Sequence, residues 1–265
     1  MIVNNAKATS EQFLILLLSE ALFTLVTTIL VVAIFQSYPP TPPSASEEHR
    51  QEIHFKEDFI KLMTNKHYLV LLFGFSLGLA IFNALVTVLD QIIKPSGYTS
   101  DDAGVFGAAI VISGLFNAFL AGIIMDKTHA YKHILKVLLV GAVASGVFFI
   151  IILRPNQYYP LAISIGLMGF FLLPLLPVSF ECAVECTYPI NAELSQGVLL
   201  CIGNILGVIF TFSLEQLVLL APTYQSGQIF TPASIFMLCI FLMSGVSLLI
   251  YRGPYLRLEA EINSE

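Results

Sequence analysis

Seven stretches of this sequence, 12–36, 68–93, 103–125, 134–153, 159–180, 194–219 and 230–251, are apolar for about 20 residues or more, the length a helix needs to cross a hydrocarbon layer. Charge, proline or a polar cluster bounds each one. All are too long for a membrane strand, and hydrocarbon offers no water to an open backbone, so helices are the structure they dictate. The chain is 57% hydrophobic and 11% charged, less than half the charge of an average soluble domain, which is about 25%. That excludes a soluble globular fold and a disordered chain. Twelve Lys and Arg against 18 Asp and Glu give a net charge of −6, which argues against nucleic acid as a partner. The expected class is all-α, a polytopic membrane helix bundle of about seven spans with the lipid bilayer around it. The first run is too long for a signal peptide and lacks a basic n-region.

Lys and Arg in the loops set the expected orientation. Arg50, Lys56, Lys61, Lys66, Lys127, Lys132, Lys136, Arg252 and Arg257 fall on one side, and Lys7, Lys94 and Arg154 on the other. Nine against three puts the 37–67 loop, the 126–133 loop and the C-terminus in the cytoplasm and the N-terminus outside. The plasma membrane and an endolysosomal membrane are equally compatible with this pattern. All ten tyrosines lie at or just beyond a span end, as an aromatic belt at the headgroups would require. Cys182, Cys186, Cys201 and Cys239 form no pair in an outer loop, so no structural disulfide is expected. Cys182 and Cys186 have no His nearby, and a metal site is not expected. No Ser/His/Asp set, His-rich cluster or phosphate loop is present, so neither an enzyme nor a cofactor is expected.

The longest loop divides the chain. Residues 1–36 hold the outer N-terminus and first helix, 37–67 a linker, 68–251 a six-helix bundle and 252–265 a tail. The linker opens with Tyr38-Pro39-Pro40-Thr41-Pro42-Pro43-Ser44, a stiff polyproline-like exit. Residues 55–63 predict a short amphipathic helix, with Phe55, Phe59, Ile60 and Met63 on one face.

Polar residues deep in a span usually face the bundle interior. Asn83, Asn117 and Asn204, with Phe82, are therefore candidates for a substrate cavity. The alternative for each asparagine is an interhelical hydrogen bond worth roughly 0.6 kcal/mol. Asp90, Glu215 and Gln216 sit near outer span ends as rim candidates. Asp126, Lys127 and Lys132 bracket a tight basic turn, and Glu181 and Glu185, one turn apart, are expected to face Lys127 or Lys132 as a conformational latch. Gly74/Gly78, Gly104/Gly107, Gly141/Ser145 and Gly203/Gly207 predict close helix packing. Pro174 and Pro177 predict a break in the fifth span.

The loop Gly122 to His133, with Asp126-Lys127 and Lys132-His133, resembles the loop motif of the major facilitator superfamily. One helix, a long linker and six more helices match helix six plus the C-terminal half of that twelve-helix fold. Gly169-Phe170-Phe171, the stretch Leu176-Pro177 through Phe180-Glu181, Glu185 and Thr187-Tyr188-Pro189, and Gly197 through Asn204 to Thr211 resemble the FLVCR family (feline leukaemia virus subgroup C receptor-related transporters), as does the proline-rich exit. The resemblance implies an alternating-access facilitator for a small organic solute: a choline-like amine, haem or a vitamin. It also implies that transport needs the N-terminal half or a complementary subunit. Choline-carrying members place a Tyr where Ala80-Ile81-Phe82-Asn83-Ala84-Leu85 has Asn83, and a quaternary ammonium prefers an aromatic face to an amide. Two other classes compete. One is a truncated membrane protein that does not transport. The other is a seven-helix receptor, which the span count and orientation resemble but which would carry Asp-Arg-Tyr and Asn-Pro-x-x-Tyr elements absent here.

Overall fold

The structure, a computed structural model, describes residues 8–35, 55–219 and 231–264. The proline-rich exit, the linker up to residue 54, Lys7 and Arg50 lie outside the described residues. The chain divides into two units, residues 1–50 and 51–265.

The first unit holds one helix, α1 (Ala8–Ile34). Its apolar side chains from Phe13 to Phe35 are exposed. Its hydroxyls turn back onto their own backbone: Ser19 donates to the Leu16 carbonyl at 2.7 Å, Thr24 to Glu20 at 2.7 Å, Thr27 to Thr24 at 2.9 Å and Thr28 to Thr24 at 2.7 Å. Nothing polar but these internally bonded groups interrupts Leu14–Phe35 except Glu20, which is what a helix surrounded by hydrocarbon requires.

The second unit contains α2 (Phe55–Thr64), α3 (Lys66–Thr87), α4 (Leu89–Ile93), α5 (Ser100–Thr128), α6 (Tyr131–Ile152), α7 (Tyr158–Leu172), α8 (Leu175–Thr187), α9 (Ala192–Leu219), α10 (Pro232–Ile250) and α11 (Leu256–Ser264). The segments Phe13–Ile34, Lys66–Thr87, Ser100–Thr128, Tyr131–Ile152, Tyr158–Thr187, Ala192–Leu219 and Pro232–Ile250 are long and apolar enough to cross a membrane. They correspond to the seven expected runs, and the chain is an integral, multi-pass membrane protein.

Capping explains where the spans begin. The α5 helix starts three residues before its apolar run because Thr99 and Asp102 form a reciprocal cap: the Thr99 N–H donates to Asp102 Oδ2 at 2.8 Å and the Asp102 N–H to Thr99 Oγ1 at 3.3 Å. Thr231 and Ser234 do the same for α10, with Pro232 at its first turn. Asn65 caps α3, accepting from the N–H groups of His67 and Tyr68. The expected single run 68–93 is interrupted at Val88, where α3 ends and α4 begins.

Within this unit α3 packs most extensively against α9 and then α10, and α7 lies against both α5 and α6. Glycines set two of these crossings. A Cβ on Gly169 in α7 would collide with the Ile110 backbone of α5, and one on Gly114 would come within 2.7 Å of the Gly169 carbonyl. On the α3–α10 side, a Cβ on Gly74 would meet Leu248 at 2.6 Å. Hydroxyls reinforce that contact: Ser244 donates to the Gly74 carbonyl at 2.7 Å and Ser247 to the Val70 carbonyl at 2.9 Å. Among the described residues Gly104 and Gly107 make no such contact: a Cβ at either position would meet nothing within 4 Å.

The aromatic belt also departs from expectation. Tyr159 is exposed, but Tyr68, Tyr131 and Tyr251 are buried. The Tyr68 hydroxyl donates to the Ser195 carbonyl at 2.6 Å and Tyr251 to the Cys182 carbonyl at 2.9 Å. Tyr98 donates to the Arg154 carbonyl at 2.8 Å. A phenol at a span end has the reach to brace a neighbouring helix or loop, and these three do that instead of meeting headgroups.

Candidate functional site

The end of the bundle that carries α2, the α5–α6 turn and α11 is built around a charge cluster. Arg257, in the first turn of α11, donates from Nη2 to Glu181 Oε2 at 2.9 Å. Its Nε lies 3.3 Å from Glu185 Oε1, an ion pair without hydrogen-bond alignment. The other Glu185 oxygen accepts the Leu258 N–H at 3.2 Å, so a nearly fully buried carboxylate (1% exposed) meets the positive N-terminus of α11. Burial works against the Arg257 charge, but Glu181 and Glu185 outweigh it and hold the guanidinium above its ordinary range.

The lysines expected to meet these glutamates are elsewhere. Lys132 Nζ sits 3.9 Å over the Tyr255 ring, and its backbone N–H donates to the Tyr255 hydroxyl at 3.1 Å. Burial pushes the Tyr255 phenol up from its usual value, only partly offset by that N–H. Tyr131 packs edge-on against Tyr255 with centroids 5.8 Å apart. Asp126 and Lys127 lie exposed on the last turn of α5, and among the described residues neither forms an ion pair. The physical reason is the tail. It folds back across α8 and delivers Arg257, the better bidentate cation, before a lysine of the turn can reach. Sequence separation hid this: Arg257 entered the charge count only as a loop residue.

Asn65 was likewise unmarked in the sequence. Besides capping α3, its amide donates to the Cys186 carbonyl at 2.9 Å. That carbonyl belongs to the last turn of α8, where the helix has run out of donors. One side chain thus closes the start of α3 and the end of α8.

Asn83, four residues before the end of α3, and Asn204, near the middle of α9, meet. Asn83 Nδ2 donates to Asn204 Oδ1 at 3.3 Å, and Asn204 Nδ2 donates to the Leu200 carbonyl of its own helix at 2.8 Å. Asn83 is half-buried and Asn204 exposed. Their shared face therefore presents unused amide capacity to the outside of this unit. Gly207, one turn on from Gly203, leaves room there, its Cβ direction 3.4 Å from Asn83 Nδ2.

Asn117 is placed differently. It is buried between α5 and α7, and its Nδ2 donates to the Phe170 carbonyl at 2.6 Å. That carbonyl would ordinarily accept the N–H of residue 174, which is proline. Pro177 deprives the Leu173 carbonyl in the same way, and Leu176 N–H supplies it at 3.2 Å. The break between α7 and α8 is thus two proline vacancies, one filled by Asn117 and one by a tightened turn. Phe82 points away from the Asn83 seam and lines a cavity of about 100 Å³ beside this break.

At the far end, Asp90 is half-buried with one carboxylate oxygen, Oδ1, buried and without a hydrogen-bond partner. Glu215 is half-buried and Gln216 exposed near the end of α9.

No family model matches the chain. It is 34% identical over 180 residues to "Solute carrier family 49 member A3" of Xenopus tropicalis, covering 68% of this chain and 37% of that protein. It is 31% identical over 226 residues to "Choline/ethanolamine transporter FLVCR2" of Rattus norvegicus, covering 83% and 40%. Over 264 residues it is 27% identical to "Solute carrier family 49 member A3" of Danio rerio, covering 96% and 55%. The chain therefore spans between 37% and 55% of the length of these curated relatives.

Proposed function

Because this chain belongs to the FLVCR-type family, we propose that it moves a small organic solute across a membrane by alternating access. The observation that carries this reading is the Asn83–Asn204 pair, set within two packed spans and open on one face. A polar pair held at that depth is costly in hydrocarbon, so an aqueous solute path is the surrounding that suits it. Choline and ethanolamine, the solutes named for relatives, are the first to test. Asn83 offers a hydroxyl-bearing amine a hydrogen bond rather than an aromatic face. The facing wall of the path is taken to come from a complementary set of helices, in the same polypeptide or another. This rests on the chain covering only part of its relatives. The same partial coverage is what favours the second reading, a chain that does not transport unless so complemented.

The orientation proposed puts the N-terminus outside and the C-terminus in the cytoplasm, following the nine-to-three distribution of Lys and Arg. Lys132 contacts Tyr255, two residues before Arg257 in the tail, which supports their sharing a side. In this frame the Glu181–Arg257–Glu185 cluster is the cytoplasmic latch. It ties the tail to the segment beyond the α7–α8 break, and its release would let α8 swing relative to α7. Asp126, Lys127 and Lys132 would contribute as the surrounding basic turn. Asp90, Glu215 and Gln216 form the outer rim in this reading.

Uptake of labelled choline, ethanolamine and pyridoxine by cells expressing the chain tests the proposal. Saturable uptake of at least one above the empty-vector control is expected. Uptake at the control level for all three, with the protein verified at the cell surface, overturns transport by this chain alone in favour of the second reading.

A further inference from the structure

The cavity beside the α7–α8 break is separate from the Asn83 seam. Gly74, Gly78 and Phe82 recur every four residues on α3 and face it, whereas Asn83 turns to α9. Its wall is almost wholly apolar, from residues such as Ala142, Leu173 and Phe241. Two hydroxyls line it. Ser244 already donates to the Gly74 carbonyl. Ser179 is fully buried, and its Oγ has no hydrogen-bond partner. Ser145 and Ser164, also buried, return their hydroxyls to carbonyls three residues back at 2.9 and 2.8 Å; buried Ser76 is unbonded like Ser179 but does not line the cavity. A buried hydroxyl left unbonded is a standing cost, and here it lines a space.

A water held there would need two to four polar partners, and the lining offers two hydroxyls, of which Ser244 has already given its proton to Gly74 and can only accept. A volume of about 100 Å³ is somewhat below the roughly 150 Å³ of an apolar cavity that admits benzene. We propose that this cavity is a binding site for a small, mainly apolar molecule carrying one hydrogen-bonding oxygen, of the class and size of a short-chain alcohol. The hydroxyl of the ligand bonds Ser179 Oγ and its carbons fill the apolar wall. Leu172 ends α7 and Ser179 lies in α8, so an occupant touches both sides of the break and holds the angle between α7 and α8.

The test uses the full chain in lipid nanodiscs, with trifluoropropanol as probe and fluorine NMR as readout. A saturable shift beyond that of empty nanodiscs is expected. Ser179→Ala keeps the cavity but removes the hydrogen bond, and is expected to weaken binding about five- to tenfold. Ala142→Leu fills the cavity and is expected to abolish the saturable component. Partitioning into lipid alone, with no saturable component, overturns the proposal, as does unchanged affinity in Ser179→Ala. If Ala142→Leu does not fold, Ser179→Ala decides by itself.

Discussion

The Asn117 amide donates to the Phe170 carbonyl at 2.6 Å, and that carbonyl is the one Pro174 leaves without a backbone donor. A helix break inside a membrane is tolerable only if each freed carbonyl finds a partner. Asn117 is that partner. Asn117→Leu is expected to cost about 1–3 kcal/mol, the penalty of an unsatisfied buried acceptor. In a Pro174→Leu background, where the backbone N–H returns, the same substitution is expected to cost less than half as much. Thermal unfolding of the four proteins of this cycle in detergent measures the coupling. Equal costs in both backgrounds would assign Asn117 some other role.

Close helix crossing gives a second contrast. Gly169→Ala pushes a methyl into the Ile110 backbone and is expected to destabilise by roughly 1–3 kcal/mol, as overpacking does. Gly104→Ala and Gly107→Ala meet open space and are expected to be neutral or to stabilise by up to about 1 kcal/mol through helix propensity. The same unfolding measurement separates them.

Much of this architecture was legible in the sequence because the bilayer makes one demand, length, and hydropathy reports it directly. The seven spans and the break at Pro174 and Pro177 follow from single-residue rules. What was not legible depends on distance in the chain. Nothing near Glu181 indicates that Arg257 will reach it, because the short helix α11 has to fold back first. The bond from Asn65 to the end of α8 was hidden for the same reason, since Cys186 lies 121 residues away. The tyrosines misled because their position at span ends suits an anchor and a brace equally, and only packing separates the two. Asn83 and Asn117 looked alike as polar residues within spans. Their neighbours distinguish them: an open seam for one and a proline vacancy for the other.

The charge cluster predicts which swaps rescue which. Arg257→Met leaves Glu185 buried without its cation, and roughly 3 kcal/mol of destabilisation is expected. Glu181→Gln, at a carboxylate about a third exposed, is expected to cost no more than about 1 kcal/mol. Glu181→Arg combined with Arg257→Glu is expected to recover more stability than Glu181→Lys combined with Lys127→Glu, because Lys127 is not its partner. Equal recovery in the two pairs would contradict the observed geometry.

Cysteine labelling reports on the face that carries Asn204. Cys201 lies one turn before it on α9 and is exposed, while Cys182 and Cys186 are buried. A water-soluble methanethiosulfonate reagent is expected to modify Cys201 in the membrane and to leave Cys182 and Cys186 unmodified, with the transported solute protecting Cys201. Peptide mass spectrometry of the treated chain reads all three. A Cys201 shielded by lipid would resist the reagent and would remove the seam from any aqueous path.

The central claim is that the α3–α9 seam forms one wall of a solute path. The most direct measurement is saturable solute uptake by cells expressing wild-type chain or Asn204→Leu, with surface expression matched. Asn204→Leu removes the acceptor that holds the Asn83 amide, and the resulting loss of about 1.4 kcal/mol of solute binding is expected to lower uptake at subsaturating solute about tenfold. Wild-type uptake that Asn204→Leu leaves unchanged would contradict the account.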